Sequence, residues 1–344
     1  MFRTSGTDVA APAEMRPAVE VEFDRVTKRY PGQDAPAIDA LSLRVPAGET
    51  CCLVGPSGGG KTTAMKLVNR LIELTDGDIR IDGRSIGSLD VTALRRDIGY
   101  VIQQVGLFPH LTIAANMMMV PSLMGWSKDR MRLRVTELLD LVRLDRGYAE
   151  RYPAQLSGGQ QQRIGLARAL AADPPVMLMD EPFGALDPIT RTEVQDEFLR
   201  LKSEVRKTVI FVTHDIDEAI KMGDRIAVLR QGGVLAQYGT ADELLSRPTD
   251  EFVADFVGAD RGLKRLSLRT VGELVDADGG GGHGDLAAAP SVPAQTTLRV
   301  GLSILLVAGS DLLAVTDEHG ARVGTVSLSR LRDAASSHDG RVVS

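Results

Sequence analysis

Apolar and polar residues alternate in Val19-Glu20-Val21-Glu22-Phe23 and again in Leu41-Ser42-Leu43-Arg44-Val45. A period of two predicts half-buried strands. Three other stretches are apolar throughout: Thr50-Cys51-Cys52-Leu53-Val54, Val176-Met177-Leu178-Met179 and Val209-Ile210-Phe211-Val212. Such runs suit parallel strands buried on both faces. Pro46-Ala47-Gly48 reads as a turn, and Ile79-Arg80-Ile81 reads as a strand between the turns Asp76-Gly77-Asp78 and Asp82-Gly83. From Pro109 to Ala167 the pattern is helical, with breaks expected at Pro121 and Pro153, and Thr240 to Phe256 reads as further helices. These elements predict an α/β core around a central, mainly parallel sheet. Gly279 to Gly282 with His283-Gly284 has the composition of a flexible linker. Beyond it the chain opens helix-like at Thr297, although its longest apolar stretch, Leu302 to Ala308, is short and strand-like. Leu312-Leu313-Ala314-Val315, the turn Asp317-Glu318-His319-Gly320, Val323-Gly324-Thr325-Val326 and a last helix then form a small separate module. The expected boundaries are a disordered leader over 1–18, a main domain over 19–258, a bridge and linker over 259–293, the small module over 294–335 and a disordered tail over 336–344.

A chain of 344 residues is too long for one ordinary domain, which agrees with this division. Hydrophobic content of 43% and charged content of 25% are those of a soluble globular protein. The net charge of −6 is spread along the chain and argues against a nucleic-acid partner, which calls for a basic stripe. The two cysteines, Cys51 and Cys52, are adjacent in a strand, so they face opposite sides and cannot pair. Buried packing in a cytosolic protein is the expectation. No run of about twenty apolar residues predicts a membrane span.

The candidate chemistry begins at Gly55-Pro56-Ser57-Gly58-Gly59-Gly60-Lys61-Thr62-Thr63, which fits G-x-x-x-x-G-K-[ST] between a buried strand and a helix start. Glycines let backbone N–H groups turn inward around phosphate oxygens, and the helix start adds about half a positive charge. Lys61 would reach the terminal phosphates and Thr62 would offer a hydroxyl to Mg2+. The apolar run ending in Asp180-Glu181 delivers two carboxylates to a strand end, where α/β proteins bind ligands. Asp180 suits the Mg2+ shell, and Glu181 suits orienting and polarising a water for phosphoryl transfer. Leu156-Ser157-Gly158-Gly159-Gln160 opens another helix, with Ser157 as N-cap and glycines that expose N–H groups. One nucleotide needs one phosphate loop, so a second anion site suggests service to another nucleotide.

Leu156 to Gln160 resembles the signature motif of ATP-binding cassette proteins, and the other motifs stand in that family's order from about residue 20 to 260. Ala185-Leu186-Asp187 resembles the D-loop, and His214 in Val212-Thr213-His214-Asp215 the switch histidine that contacts the γ-phosphate. Gln103 in Gly99-Tyr100-Val101-Ile102-Gln103 resembles the Q-loop glutamine, a Mg2+ ligand; Gln104 is adjacent, and alignment by Leu107-Phe108-Pro109-His110 favours Gln103. Tyr30 resembles the aromatic residue that stacks on adenine. The resemblance implies a P-loop cassette with a mainly parallel core sheet, an antiparallel β subdomain and a helical subdomain. It implies ATP and Mg2+ as ligands, the latter held by Thr62, Gln103 and Asp180, with Lys61, Glu181 and His214 catalytic. It also implies a head-to-tail homodimer in which Ser157, Gly158, Gly159, Gln160 and Asp187 complete the partner's site.

Within that family, Thr62 to Glu73, Ile98 to His110 and Gly262 to Leu268 are similar to the importer ATPases for quaternary-amine osmoprotectants such as glycine betaine, carnitine and choline. This implies a separate integral-membrane permease, a substrate-binding protein and a peripheral position on the cytoplasmic face of the membrane. Met117, Met118, Met119 and Leu123 are candidates for the permease-docking surface, or for the core of their own helix. An importer of another small solute such as an amino acid, and a soluble non-transport ATPase, are the alternative readings. The tail resembles one cystathionine-β-synthase (CBS)-type domain, which leaves regulation and plain dimerisation both open. Arg261, Lys264, Arg265 and Arg269 form a basic cluster, either a solvated linker or a sensor of ionic strength at an anionic membrane face.

Overall fold

The computed structural model describes residues 15–103, 105–275 and 289–336. Most of the expected leader, Gln104, the Gly279–Gly284 linker and the tail beyond 336 lie outside the described residues. The chain divides into two compact units, Met1–His214 with Leu229–Leu235, and Asp215–Val228 with Ala236–Ser344.

In the first unit the strands are β1 (Val21–Lys28), β2 (Ile38–Val45), β3 (Thr50–Val54), β4 (Asp76–Ile81), β5 (Arg84–Ser85), β6 (Ile98–Val101), β7 (Val176–Asp180) and β8 (Thr208–Val212). An antiparallel sheet runs β2-β1-β4-β5, with Val21 opposite both Val45 and Ile81. Val21, Phe23 and Val26 are buried, as the alternation requires. A parallel sheet runs β3-β8-β7-β6, and every residue of β3 and β8 is buried. The continuous apolar runs thus occupy the centre of this sheet. Phe183, Phe198 and Phe211 meet with ring centroids 5.8 to 6.3 Å apart and fix the chain just beyond β7.

Helices Ile113–Met117, Met119–Leu123, Lys128–Leu141 and Gly158–Leu170 follow the expected helical stretch. The break falls at Met118, not at Pro121, which sits in the first turn of its helix where no amide donor is needed. Met117 and Met118 are buried, so these two are core residues and the expected docking role fails for them. Leu123 of the same set is 64% exposed.

The second unit carries the neighbouring strands β9 (Arg225–Leu229) and β10 (Leu235–Gly239), helices over Ile216–Met222, Ala241–Ser246, Glu251–Val257 and Arg261–Leu266, and a three-stranded sheet. In that sheet β11 (Ser291–Pro293) is parallel and β13 (Arg322–Ser327) antiparallel to the central β12 (Leu312–Thr316). Helices Leu298–Ala308 and Leu328–Ser336 accompany it. Leu302–Ala308 is therefore helical; Leu298, Gly301 and Leu305 make its buried face, a 3.6-residue pattern hidden inside an apolar run. Leu266, Val271 and Val292 join Leu305, Leu313 and Val326 in one apolar cluster, so the stretch 259–293 contributes helix, 3-10 turn, strand and core.

The basic cluster is only in part the solvated surface that the sequence suggests: Arg261 is exposed, but Lys264 and Arg265 are not. Lys264 is 8% and Arg265 9% exposed. Lys264 Nζ lies 3.1 Å from Asp260 and 3.4 Å from Asp217, Arg265 Nε 2.8 Å from Asp242, and Arg269 Nε 3.1 Å from Glu273. These local ion pairs take up the charge of Lys264, Arg265 and Arg269 within the fold. Among the described residues, no helix is long and apolar enough to cross a membrane.

Candidate functional site

Strand β3 delivers the Gly55–Thr63 loop at its C-terminal end, and helix Lys61–Val68 starts immediately after the loop. Two glycines are obligatory there. A Cβ on Gly55 would stand 2.2 Å from the Leu229 carbonyl oxygen, and one on Gly60, at φ 76°, 2.5 Å from that of Ala37. The backbone therefore folds more tightly than any side chain permits, which suits a cradle of N–H donors for an anion. Lys61 is 9% exposed, and its Nζ donates to the carbonyls of Gly55 at 2.7 Å and Pro56 at 3.0 Å. Burial pushes its pKa below the ordinary 10.5, against the pull of Glu181 and Asp180. The loop thus holds a desolvated cation at a helix start, and its chemistry fits a phosphate chain.

Thr62 Oγ1 donates to Asp180 Oδ1 at 3.1 Å, which joins the helix start to the end of β7. Burial raises the Asp180 carboxyl above the ordinary 3.8, the Thr62 hydrogen bond lowers it, and the Glu181 charge raises it further. A hydroxyl beside a carboxylate is a hard-oxygen donor set that fits Mg2+, an ion that completes its shell with water and substrate phosphate. Among the described residues no group of three or more His, Cys, Asp or Glu side chains stands ready to hold a metal alone, so this pair depends on such additional oxygens.

Glu181 stands at φ 43°, in the left-handed region, with its N–H bonded to the Val212 carbonyl at 2.9 Å. One carboxylate oxygen accepts from Gln103 Nε2 at 3.0 Å, and the other lies 3.3 Å from His214 Nδ1. Strands β6, β7 and β8 thereby bring Gln103, Glu181 and His214 together at one sheet edge. The His214 side chain is 68% exposed and so can reach a ligand. Such a carboxylate, held from both sides beside a phosphate cradle, can orient a water and accept its proton.

Other expected site residues stand apart from this network. Ser157 caps helix Gly158–Leu170 in a capping box: Gln160 N donates to Ser157 Oγ at 3.3 Å, and Ser157 N to Gln160 Oε1 at 2.9 Å. Gln160 also donates to the Tyr148 hydroxyl at 3.0 Å. Ser157 and Gly158 are exposed, whereas Gly159 is buried, and a Cβ on Gly159 would stand 2.5 Å from Thr190. Gly159 is thus a packing position against the next helix and not simply an exposed donor. Asp187 caps helix Pro188–Val205, accepting from Ile189 N and Thr190 N, and its hydrogen bonds to Thr190 pull its carboxyl below the ordinary range. Tyr30 is half-buried, with Lys28 Nζ 5.1 Å from its ring centroid.

Sequence reasoning passed over Tyr100 on β6, whose hydroxyl burial and the Asp180 charge hold less acidic than usual. It also passed over Arg168, where the available signal was a lone charge in the apolar string Leu166-Ala167-Arg168-Ala169-Leu170.

Comparison with known proteins agrees with this geometry. The family described as ABC transporter matches residues 38–184. The osmoprotectant import ATP-binding protein OsmV of Salmonella typhimurium is 47% identical over 92% of this chain and 81% of its own length. The glycine betaine/carnitine/choline transport ATP-binding protein OpuCA of Bacillus subtilis is 45% identical over 90% of this chain and 78% of its own. An ATP-binding cassette solved as a dimer in a post-hydrolysis state, bound to ADP and Pi, superposes with a TM-score of 0.57 at 37% identity, covering 64% of this chain and 98% of that one. The glycine loop, the Thr62–Asp180 pair and the Glu181 network fit ATP chemistry, and by these likenesses the chain belongs to the ATP-binding, ATP-hydrolysing subunits of ABC transporters.

Proposed function

We propose that this chain drives an importer of quaternary-amine osmoprotectants, hydrolysing ATP in a head-to-tail pair of copies. The observation that carries the reading is the bonded set Thr62–Asp180 and Gln103–Glu181–His214 on the edge that bears the phosphate loop. In this reading the backbone from Gly55 to Thr63 and the Lys61 ammonium hold the phosphates, Glu181 orients the attacking water and takes its proton, and His214 meets the γ-phosphate. Tyr30 stacks on the base. Thr62, Asp180 and Gln103 would hold Mg2+, which would supply positive charge to the phosphate oxygens. Ser157, Gly158, Gly159, Gln160 and Asp187 serve the site of the second copy; Ser157 and Asp187 cap their own helix starts, and Ser157 and Gly158 are exposed.

The cargo follows from the relatives, whose names specify osmoprotectant import and glycine betaine, carnitine and choline transport. A separate permease carries the solute, with this chain seated against the cytoplasmic side of the membrane, and a substrate-binding protein delivers it. The tail's order of strand, helix, strand, strand, helix supports reading it as one CBS-type unit. Uptake by vesicles reconstituted with the permease, the binding protein and this chain tests the proposal. ATP-dependent accumulation of labelled glycine betaine, carnitine or choline is expected. Accumulation of amino acids alone would remove the osmoprotectant cargo, and uptake indifferent to ATP would remove the motor.

A further inference from the structure

Helix Gly158–Leu170 meets the chain on either side of Gln103 in three places, one at Gly99 and two at Val105 and Gly106. A Cβ on Gly99 would stand 2.6 Å from the Ala169 carbonyl oxygen, and one on Gly165 2.8 Å from Val105 Cγ1. Arg168 lies between these contacts. Its Nη2 donates to the Val105 carbonyl at 2.7 Å and its Nη1 to the Gly106 carbonyl at 2.6 Å. Gly106 has φ 58°, a left-handed turn that swings successive carbonyls toward one side, which only glycine adopts freely. The guanidinium is a rigid fork matched to two acceptors, whereas a lysine ammonium is a point charge on a flexible stem. Burial lowers the Arg168 pKa, so the chain accepts a desolvation cost to keep this cation on two neutral carbonyls.

We propose that Arg168 is a positioning residue for ATP hydrolysis: it clamps the Val105 and Gly106 carbonyls, two and three positions beyond Gln103, and so keeps the Gln103 amide on Glu181. The same clamp ties that amide to the helix that begins at Ser157. The inference rests on the ATPase reading above.

Steady-state hydrolysis by the full chain, assembled with its permease, tests it through Arg168→Ala, Gln103→Ala and the double variant. Turnover by the unaltered protein, abolished by Glu181→Gln, secures the ATPase reading first; without it both readings fall. For Arg168→Ala, kcat is expected to drop about ten- to a hundredfold with KM for ATP unchanged, since small misplacements of a catalytic group cost that much. Because Arg168 acts through Gln103, the double variant should lose no more than about twofold beyond the worse single one. Multiplying losses, a raised KM at constant kcat, or wild-type turnover by a folded Arg168→Ala chain would each overturn the proposal. Should Arg168→Ala fail to fold, Arg168→Lys carries the same cycle. It keeps the charge but not the fork, and the same kcat loss without a KM change is expected of it; full turnover by Arg168→Lys would equally overturn the clamp.

Discussion

Lys61 in the first unit and Lys264 in the second are buried to nearly the same degree, 9% and 8% exposed, yet their surroundings differ in kind. Lys61 Nζ is held by two carbonyl oxygens, its pKa depressed by burial. Lys264 Nζ also meets a carbonyl, that of Val257 at 2.8 Å, but Asp260 and Asp217 stand beside it. One ammonium faces neutral carbonyl groups; the other is neutralised by carboxylates inside the fold. Burial of a cation therefore does not mark a binding site by itself. What distinguishes the first is that Asp180 and Glu181 are bonded to Thr62 and Gln103 and stand beside His214, and they act on the lysine through their charge and not through an ion pair.

The largest expected effect tests that engagement. Glu181→Gln keeps the shape and removes the proton acceptor, so kcat should fall at least about a hundredfold while ATP still binds, measured by phosphate release and by nucleotide titration. The two lysines should then respond in opposite ways to the same swap. Lys61→Met should weaken ATP affinity about ten- to a hundredfold, the worth of a charged hydrogen bond, with stability unchanged or slightly raised. Lys264→Met should leave ATP affinity unchanged and cost about 1–2 kcal/mol of stability by denaturant unfolding. The cost stays modest because Asp260 and Asp217 are 49% and 64% exposed and water can solvate them once unpaired. Equal responses to the two swaps would erase the distinction.

The smallest effect is a titration. Burial raises the folded-state value of Asp180 above 3.8, so the folded protein holds that proton more tightly than the unfolded chain. Stability from this group is full below 3.8 and is lost as pH rises through the raised value. Thr62→Val removes the hydrogen bond that opposes the rise. The Asp180 carboxyl midpoint, followed by carbon NMR, should therefore move further up in that variant.

Much of the first unit was legible because its signals are local. The loop around Gly60 must turn where no Cβ fits, and Val176 to Met179 ends in the carboxylates that its sheet edge requires. Pairings between distant residues were not legible. Lys264 and Arg265 read as basic surface until Asp217 and Asp242 are brought beside them. β11 is too short to show a period, and it exists because Val292 lies opposite Val315. Met117 and Met118 carry no mark of burial in their own sequence, and Gly159 looks like a signature donor until Thr190 is placed against it. In each case the deciding neighbour comes from another element.

The backbone of Glu181 has a consequence for what selection preserves. At φ 43° a glutamate carries a steric penalty of about 1–2 kcal/mol that a glycine would avoid. Glu181→Gly should therefore abolish hydrolysis and at the same time raise the melting temperature. Drift toward stability alone would discard this residue, so a lineage that retains it is being held to turnover at the expense of robustness.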